Sequence, residues 1–243
     1  MPRVRMRSIV SGHDAKKGSS PFSGFSLTNR ATIPFSILVL IVFVGAQPLR
    51  AQDPPPRIPW FAVDLHGSVP RFPSDDQVLA DSRDMNLAEL PGRGLGVQVG
   101  AHLYPLRWRV ITFGIGGEIA MSRSSQTPPQ NVPNQRPSKE RYRSIAPQLS
   151  FNFGNGNGWS YLSGGIGQSR WAIVPEGLAD NPQDDERLKT INYGGGARWF
   201  IKSHVAFSFD VRLYAINPGS PVESRPGSPR TTLMVIGAGV SIK

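Results

Sequence analysis

The second half of the chain contains a stretch, residues 190–215, in which apolar and polar side chains alternate. From Val205 to Leu213 every second residue is bulky and apolar, whereas the residues between them include Ser208, Asp210 and Arg212. Successive side chains of a β-strand point to opposite faces of the sheet. The pattern therefore predicts two strands joined by a short turn at Lys202-Ser203, with one face wholly apolar.

The polar face of this hairpin also contains glycines, including Gly194 and Gly196 beside Arg198. A soluble β-sandwich would expose its charged face and fill its interior with bulky apolar residues. A face that combines charge with glycine fits instead the narrow, polar inside of a small barrel whose apolar outside contacts lipid. This pattern constrains the location of the protein more tightly than its activity.

Eight segments alternate in this way, each about ten residues long, the length that crosses a bilayer when a strand is tilted. They cover residues 60–69, 94–104, 109–122, 142–153, 159–173, 190–201, 204–215 and 231–242. The connections alternate between long and short, beginning with a long polar loop over residues 70–93. An even number of strands with long loops at one end and short turns at the other is typical of bacterial outer-membrane barrels. The sequence predicts an all-β fold, an eight-stranded antiparallel up-and-down transmembrane β-barrel over residues 60–243.

Two strands contain irregular features. Pro147 lacks the N–H group that a central strand position donates, so we expect a β-bulge there. In the segment 159–173, Leu162 and Ile166 face outward, and the alternation is expected to slip near Trp171.

Residues 1–51 have the features of a signal peptide. A basic segment ends at Arg30, an apolar run covers residues 33–44, and small residues follow at Ala46 and Ala51. The apolar run is too short for a comfortable transmembrane helix. Cleavage after Ala46 and an uncleaved anchor are the alternatives, and the long basic segment leaves room for a start at Met6. Residues 52–59 are rich in proline and form an extended lead-in.

We expect removal of the signal peptide after Ala51. N-terminal sequencing of the mature protein should then begin at Gln52. A mature chain that begins at Met1 would contradict this expectation.

The formal net charge of +10 is not a nucleic-acid signal. Residues 1–51 contain seven basic residues and one acid, Asp14, and so carry +6 of that charge. The remaining +4 is spread over 192 residues and forms no basic footprint, so no nucleic-acid partner is expected. Cysteine is absent, which excludes a disulfide framework, a thiolate metal site and a thiol nucleophile.

The sequence Gly-Gly-Gly-Ala-Arg-Trp-Phe-Ile, followed by Val-Ala-Phe-Ser-Phe-Asp-Val-Arg, resembles the last hairpin of small bacterial outer-membrane β-barrel proteins of the OmpA/OmpX type. The resemblance covers residues 60–243 and implies a monomeric barrel in the outer membrane of a Gram-negative envelope. It also implies contact with outer-membrane lipid, lipopolysaccharide and the barrel-insertion machinery. Two departures from this family are the ending Val240-Ser241-Ile242-Lys243 in place of a terminal aromatic residue, and the expectation that no peptidoglycan-binding domain follows the barrel.

Charged side chains of the inward face are the candidate site. The strand pattern turns Asp64, Glu118, Arg198, Asp210 and Arg212 into the lumen, together with His66, His102 and His204. Because buried charges require partners, these residues predict a structural network that fills the lumen, with Arg198 paired to Asp210. A narrow conducting pore is the alternative interpretation.

A catalytic interpretation rests on His66-Gly67-Ser68, which is similar to the His-x-Ser spacing of lipid A deacylases. Asp64, His66 and Ser68 share one face, but that face is inside the barrel and in the first strand. We therefore expect no catalytic residues, no metal site and no cofactor. The predicted role is structural or surface interaction through four long extracellular loops, whose ligand the sequence does not identify. The alternatives are a lipid A-modifying barrel enzyme and a soluble lipocalin-like barrel with its apolar face inside.

Overall fold

The computed structural model describes residues 55–129, 135–178, 184, 186–222 and 226–243. The chain divides into two units, and the described residues belong to the second, Asp53–Lys243. The predicted signal peptide and its cleavage site lie outside the described residues. Among the described residues, no helix is long and apolar enough to cross a membrane.

The second unit contains a single closed sheet of eight antiparallel strands in which each strand pairs with its neighbours in the chain and β8 pairs with β1. The predicted fold class is confirmed. The strands are β1 Phe61–Arg71, β2 Gly94–Trp108, β3 Ile111–Gln126, β4 Ser138–Asn155, β5 Gly158–Pro175, β6 Leu188–Phe200, β7 Val205–Ile216 and β8 Thr231–Ile242.

The polarity of the barrel is the reverse of that of a soluble protein. Apolar side chains on the outer wall are exposed, for example Leu65 at 53% and Leu149 at 61%, whereas inward-facing Ser208 and Asn152 are fully buried. A closed sheet leaves no edge strand, so every strand satisfies its backbone hydrogen bonds without water. Such an apolar outer wall fits the hydrocarbon of a bilayer, and these eight strands are membrane-spanning strands.

Exposed tryptophans mark the short-turn end of the outer wall. Trp60, Trp108 and Trp199 are each more than half exposed, and the ring of Trp199 stacks on that of Phe207 at 6.0 Å. Amphipathic rings of this kind sit at the interface between hydrocarbon and head groups. This rim therefore lies at one membrane surface, and the long-loop end extends beyond the other.

The structure corrects three details of the predicted strands. Pro147 causes no bulge, because the register of β4 is unchanged on both sides of it. The register shift lies instead in β2, between Leu103 and Leu106, where the sequence analysis placed the end of the strand. The register of β5 against β4 does not slip at Trp171, which faces the interior and is 2% exposed.

The segment 72–93, predicted as a long polar loop, is folded into the mouth of the barrel; we call it the mouth segment. It contains a short helix, α1, at Gln77–Ser82, whose N-cap Asp76 accepts a hydrogen bond from the backbone N–H of Leu79 at 3.1 Å. A 3₁₀ turn follows at Leu87–Glu89. The prediction of a polar loop was wrong because five apolar residues of this segment are buried in the barrel mouth, whereas Val78 and Leu87 are exposed. The five buried residues are Phe72, Leu79, Ala80, Met85 and Leu90.

Candidate functional site

The first part of the interior network joins Arg198 on β6 to Asp64 on β1, across the lumen. Arg198 Nε and Nη2 donate to the two carboxylate oxygens of Asp64 at 2.7 and 2.5 Å. The hydroxyl of Ser241 donates to the same carboxylate. The guanidinium of Arg198 also lies 4.1 Å from the centroid of the Tyr161 ring. A bidentate pair with a cation–π contact is the geometry that makes a buried arginine tolerable.

The second part of the network is centred on Arg212 of β7. Its Nε lies 2.9 Å from Glu118 Oε2, and its Nη2 donates to Asp210 at 3.0 Å and to Ser163 at 2.9 Å. Tyr214 donates to the other oxygen of Glu118 at 2.6 Å. Two acids and one arginine share this cluster, so the buried cation has a counter-charge.

Tyr161 connects the two parts. Its hydroxyl donates to Asp210 at 2.8 Å, while its ring lies against Arg198. Gln98 extends the Arg212 cluster by donating to the hydroxyl of Tyr214 at 3.0 Å. The sequence analysis missed these residues. Their only signal in the sequence was their inward position, which they share with many neutral residues.

Glycines on neighbouring strands make room for the charged side chains. Asp210 pairs with Gly196 on β6 and with Gly237 on β8, and Arg212 pairs with Gly194. A Cβ atom on Gly196 would overlap the carbonyl oxygen of Phe209 and lie 2.7 Å from the Tyr161 hydroxyl. The combination of glycine and charge on one face, seen in the sequence, follows from this close approach.

We expect Gly196→Ala to lower the free energy of unfolding by about 1–3 kcal/mol, because the added methyl group overpacks the network. Unfolding in denaturant of the barrel refolded in detergent measures the effect. Gly67→Ala is the matched control, since its Cβ would meet its nearest atom at an ordinary 3.9 Å on the outer wall. Equal effects of the two substitutions would contradict the packing described here.

At the short-turn end, the interior is filled by a layer of aromatic side chains, which we call the aromatic layer. Trp159, Tyr104 and Ala62 are buried together, and the rings of Trp159 and Phe200 stack at 5.0 Å. Arg198 lies above this layer, with its guanidinium 5.5 Å from the Trp159 ring.

At the long-loop end the mouth segment fills the barrel. Its apolar residues pack against inward side chains of β4, β5, β6, β7 and β8, including Tyr142, Trp171 and Leu233. Arg83 fixes the segment by donating to the carbonyl of Trp171 at 3.2 Å and by an ion pair with Asp184 at 3.3 Å. Burial lowers the pKa of Arg83, and the Asp184 carboxylate opposes that shift.

All five predicted network residues lie in the interior, but one pairing differs. Arg198 contacts Asp64 rather than Asp210, which instead pairs with Arg212. The sequence analysis paired Arg198 with Asp210 because these residues lie on neighbouring strands. In the structure, the acid that contacts Arg198 is Asp64, which lies across the lumen on β1. The predicted inward position of His204 is also wrong, because this residue lies in the short turn and is exposed.

Among the described residues, two further histidines belong to the packed interior. His66 lies 2.7 Å from the hydroxyl of Ser208 on β7, and His102 lies 3.2 Å from Gln148. Ser68, the partner in the His-x-Ser hypothesis, faces inward and is 5% exposed. Asp64 is engaged by Arg198, so the arrangement lacks the carboxylate that orients a catalytic histidine. Within the described residues, no group of three or more acidic or histidine side chains is placed to hold a metal ion.

No protein-family model matches this sequence, and no curated protein sequence matches it. Several solved structures are similar in fold. Neisserial surface protein A (NspA) is 14% identical, with a TM-score of 0.49 over 76% of this chain and 97% of that chain. Ail, the attachment invasion locus protein of Yersinia pestis, is 11% identical, with a TM-score of 0.47 over 75% of this chain and 96% of that chain.

The strand number, the closed up-and-down topology and the apolar outer wall together define the class of this fold. Closed barrels with a polar inside and an apolar outside are the outer-membrane type of β-barrel. The predicted resemblance to small OmpA/OmpX-type barrels is confirmed at the level of the fold. This chain forms an eight-stranded barrel of the outer membrane.

Proposed function

We propose that this protein is a non-catalytic outer-membrane barrel with a filled interior, which acts structurally or through the segments that it displays outside the cell. The observation that carries the proposal is the succession of three layers along the barrel axis. The layers are the mouth segment, the charged network and the aromatic layer.

The three layers weigh against a pore. An eight-stranded barrel is just wide enough for its interior to be filled by side chains. Here large side chains, including Trp171, Arg198 and Arg212, are nearly fully buried inside it. An ion crossing the lumen would have to separate buried ion pairs, which is energetically costly.

Conductance in planar bilayers tests the filled interior. We expect the refolded protein to insert without a steady conductance. A large and steady conductance from the unmutated chain would overturn this part of the proposal and favour the narrow pore.

The lipid A-modifying enzyme remains the alternative of a different class. It would require a histidine, a nucleophile and an acid that a lipid can reach from the outer wall or the rim. The His66–Ser208 contact is buried in the lumen, which supports the non-catalytic proposal. Incubation with purified lipid A and mass spectrometry of the product tests this point directly. A change in lipid A mass would overturn it.

The longest strands, β4 and β5, extend well beyond the membrane at their long-loop ends. Both β4 and β5 have 18 residues, which corresponds to roughly 59 Å of extended strand, much more than a tilted crossing needs. The hairpins that rise above the bilayer are the surface proposed for interaction. An epitope tag inserted after the exposed Gly177 should bind antibody on intact cells. Binding only after the outer membrane is opened would contradict the proposed orientation.

A further inference from the structure

A buried acid without a counter-charge lies beneath the mouth segment. Glu140, on the inner face of β4, is 1% exposed. One of its carboxyl oxygens accepts a hydrogen bond from Nε1 of Trp171 at 2.5 Å, and the other has no hydrogen-bond partner among the described residues. In the same part of the chain, no cation forms an ion pair with Glu140. The acids of the charged network differ, because Asp64, Glu118 and Asp210 each pair with an arginine.

Glu140 lies in the part of β4 that rises above the membrane. The residues on either side of it, Lys139 and Arg141, are charged and exposed on the outer face, whereas the exposed apolar wall of β4 begins at Ile145. The carboxyl group is therefore at the level of the external medium, and the mouth segment separates it from that medium.

The mouth segment contacts the neighbours of Glu140 on two strands. On β5, the indole of Trp171 donates to Glu140, and the carbonyl of the same residue accepts a hydrogen bond from Arg83 at 3.2 Å. The Trp171 ring belongs to the same apolar cluster as the buried residues of the mouth segment. On β4, Ser138 precedes Glu140 by two residues on the same face and donates to the carbonyl oxygen of Glu89. The burial of Glu140 thus depends on the closed position of the mouth segment.

The groups that surround this region do not supply the missing charge. They are Arg83 and Glu89 of the mouth segment, Asp184 and Glu186 after β5, Tyr142 on β4 and Tyr214 on β7. Arg83 pairs with Asp184 at 3.3 Å, and the Glu89 carboxylate accepts backbone N–H bonds from Asn86 and Arg136. The inward residues of β3 beside Glu140 are serines.

We propose that the mouth segment is a pH-dependent lid, which is closed while Glu140 is protonated and opens when Glu140 ionises. A buried carboxylate with one hydrogen bond and no counter-charge is costly, so the closed lid favours the neutral acid. In the open state the carboxyl group reaches water, where it is ionised at neutral pH. The closed state therefore binds one proton more than the open state, and a rise in pH favours opening.

The lid controls what the outer mouth of the barrel displays, and not conduction. Opening would expose apolar residues of the mouth segment, among them Leu79, Met85 and Leu90, to the external medium. The charged network and the aromatic layer would still fill the lumen below. An apolar surface would thus become accessible at alkaline pH and be covered at acid pH.

Thiol labelling tests the lid directly, because the chain contains no cysteine. Ala80→Cys places a thiol at a position of α1 that is 0% exposed, and Val78→Cys places one at a position of the same helix that is 51% exposed. The rate of modification by a water-soluble maleimide is measured for each full chain, refolded in detergent, between about pH 6 and pH 8. The ratio of the buried to the exposed rate reports opening, since the exposed thiol corrects for the effect of pH on thiol reactivity.

We expect this ratio to rise about tenfold per pH unit, the slope for the release of one proton. With Glu140→Gln added, the ratio should stay low and independent of pH, because glutamine keeps the shape of the neutral acid and cannot ionise. Glu176→Gln removes an exposed acid at the same end of the barrel and is the matched control, which should keep the slope. A flat ratio in the chain with Glu140 intact, or an equal slope with Glu140→Gln, would overturn the proposal.

Infrared spectroscopy tests the protonation of Glu140 without requiring the lid to open. The difference spectrum between the unmutated chain and Glu140→Gln at neutral pH should contain the C=O stretching band of a protonated carboxyl group. A carboxylate band in its place would overturn the proposal. Heat-modifiable gel mobility shows that both chains are folded. Failure of the lid proposal leaves the conductance, lipid A and epitope results unchanged, so it is distinguishable from failure of the proposed function.

Discussion

Replacing Asp64 by asparagine is expected to lower the free energy of unfolding by about 3–5 kcal/mol, because it leaves the guanidinium of Arg198 buried without its counter-charge. Arg198 is 1% exposed, and Asp64 accepts both of its charged hydrogen bonds across the lumen. Denaturant unfolding of the refolded barrel, followed by tryptophan fluorescence, measures the loss. Trp159 lies beside Arg198 and reports on this region.

A double-mutant cycle separates the pair from general damage to the interior. Asp64→Asn and Arg198→Met should show a strong coupling, because the second substitution removes the charge that the first left unpaired. The same cycle on Asp210→Asn and Arg198→Met is the control, since those two residues are joined only through Tyr161. Stronger coupling in the control cycle would restore the pairing predicted from the sequence and contradict the structure.

Replacing Val211 by arginine is expected to destabilise the barrel by about 2–4 kcal/mol, the cost of a cation on the lipid face near the bilayer midplane. Val211 lies in the middle of β7, opposite Gly195 and Ile236, and its side chain faces outward. Phe207 is a weaker site for the same test, because the structure places it near the tryptophan rim. The measurement is the free energy of unfolding in phospholipid vesicles.

Thr232→Arg is the matched control for this substitution. Thr232 is exposed on the outer wall of the adjacent strand β8, near its long-loop end, where a cation costs only about 0–1 kcal/mol. If Val211→Arg and Thr232→Arg had the same small effect, the outer wall at Val211 would not be in contact with hydrocarbon.

The fold could be predicted because one physical rule governs every strand. Side chains alternate between lipid and lumen, so a two-residue period in the sequence identifies each strand and its two faces. Val205, Phe207 and Phe209 follow this rule, and the structure exposes all three. Strand ends were less well predicted, because β4 and β5 continue beyond the apolar wall, where lipid no longer selects for an apolar outer face.

The pairings inside the barrel could not be predicted from the same rule. Alternation shows that Asp64 and Arg198 face inward, but not that β1 and β6 bring them together across the lumen. That contact depends on the closure and tilt of the barrel, which sequence spacing does not determine. The pairing of His66 with Ser208 has the same origin, because 142 positions separate the two residues along the chain.

The mouth segment was missed for a different reason. Its helix α1 has only six residues, too few for the helical period to stand out in a polar segment. Asp76 was the available signal, since an N-capping acid before Val78 and Leu79 favours a helix start. Packing against Trp171 and its neighbours stabilises this short helix.

The central claim is that adjacent residues of one strand face lipid and lumen in turn. Val235 and Ile236 on β8 test it most directly, because Val235 is 3% exposed and Ile236 is 42% exposed. In methyl-labelled protein reconstituted in phospholipid nanodiscs, nuclear Overhauser effects to acyl-chain protons should appear for the methyl groups of Ile236 and not for those of Val235. Contacts from Val235, or equal contacts from both residues, would contradict the barrel described here.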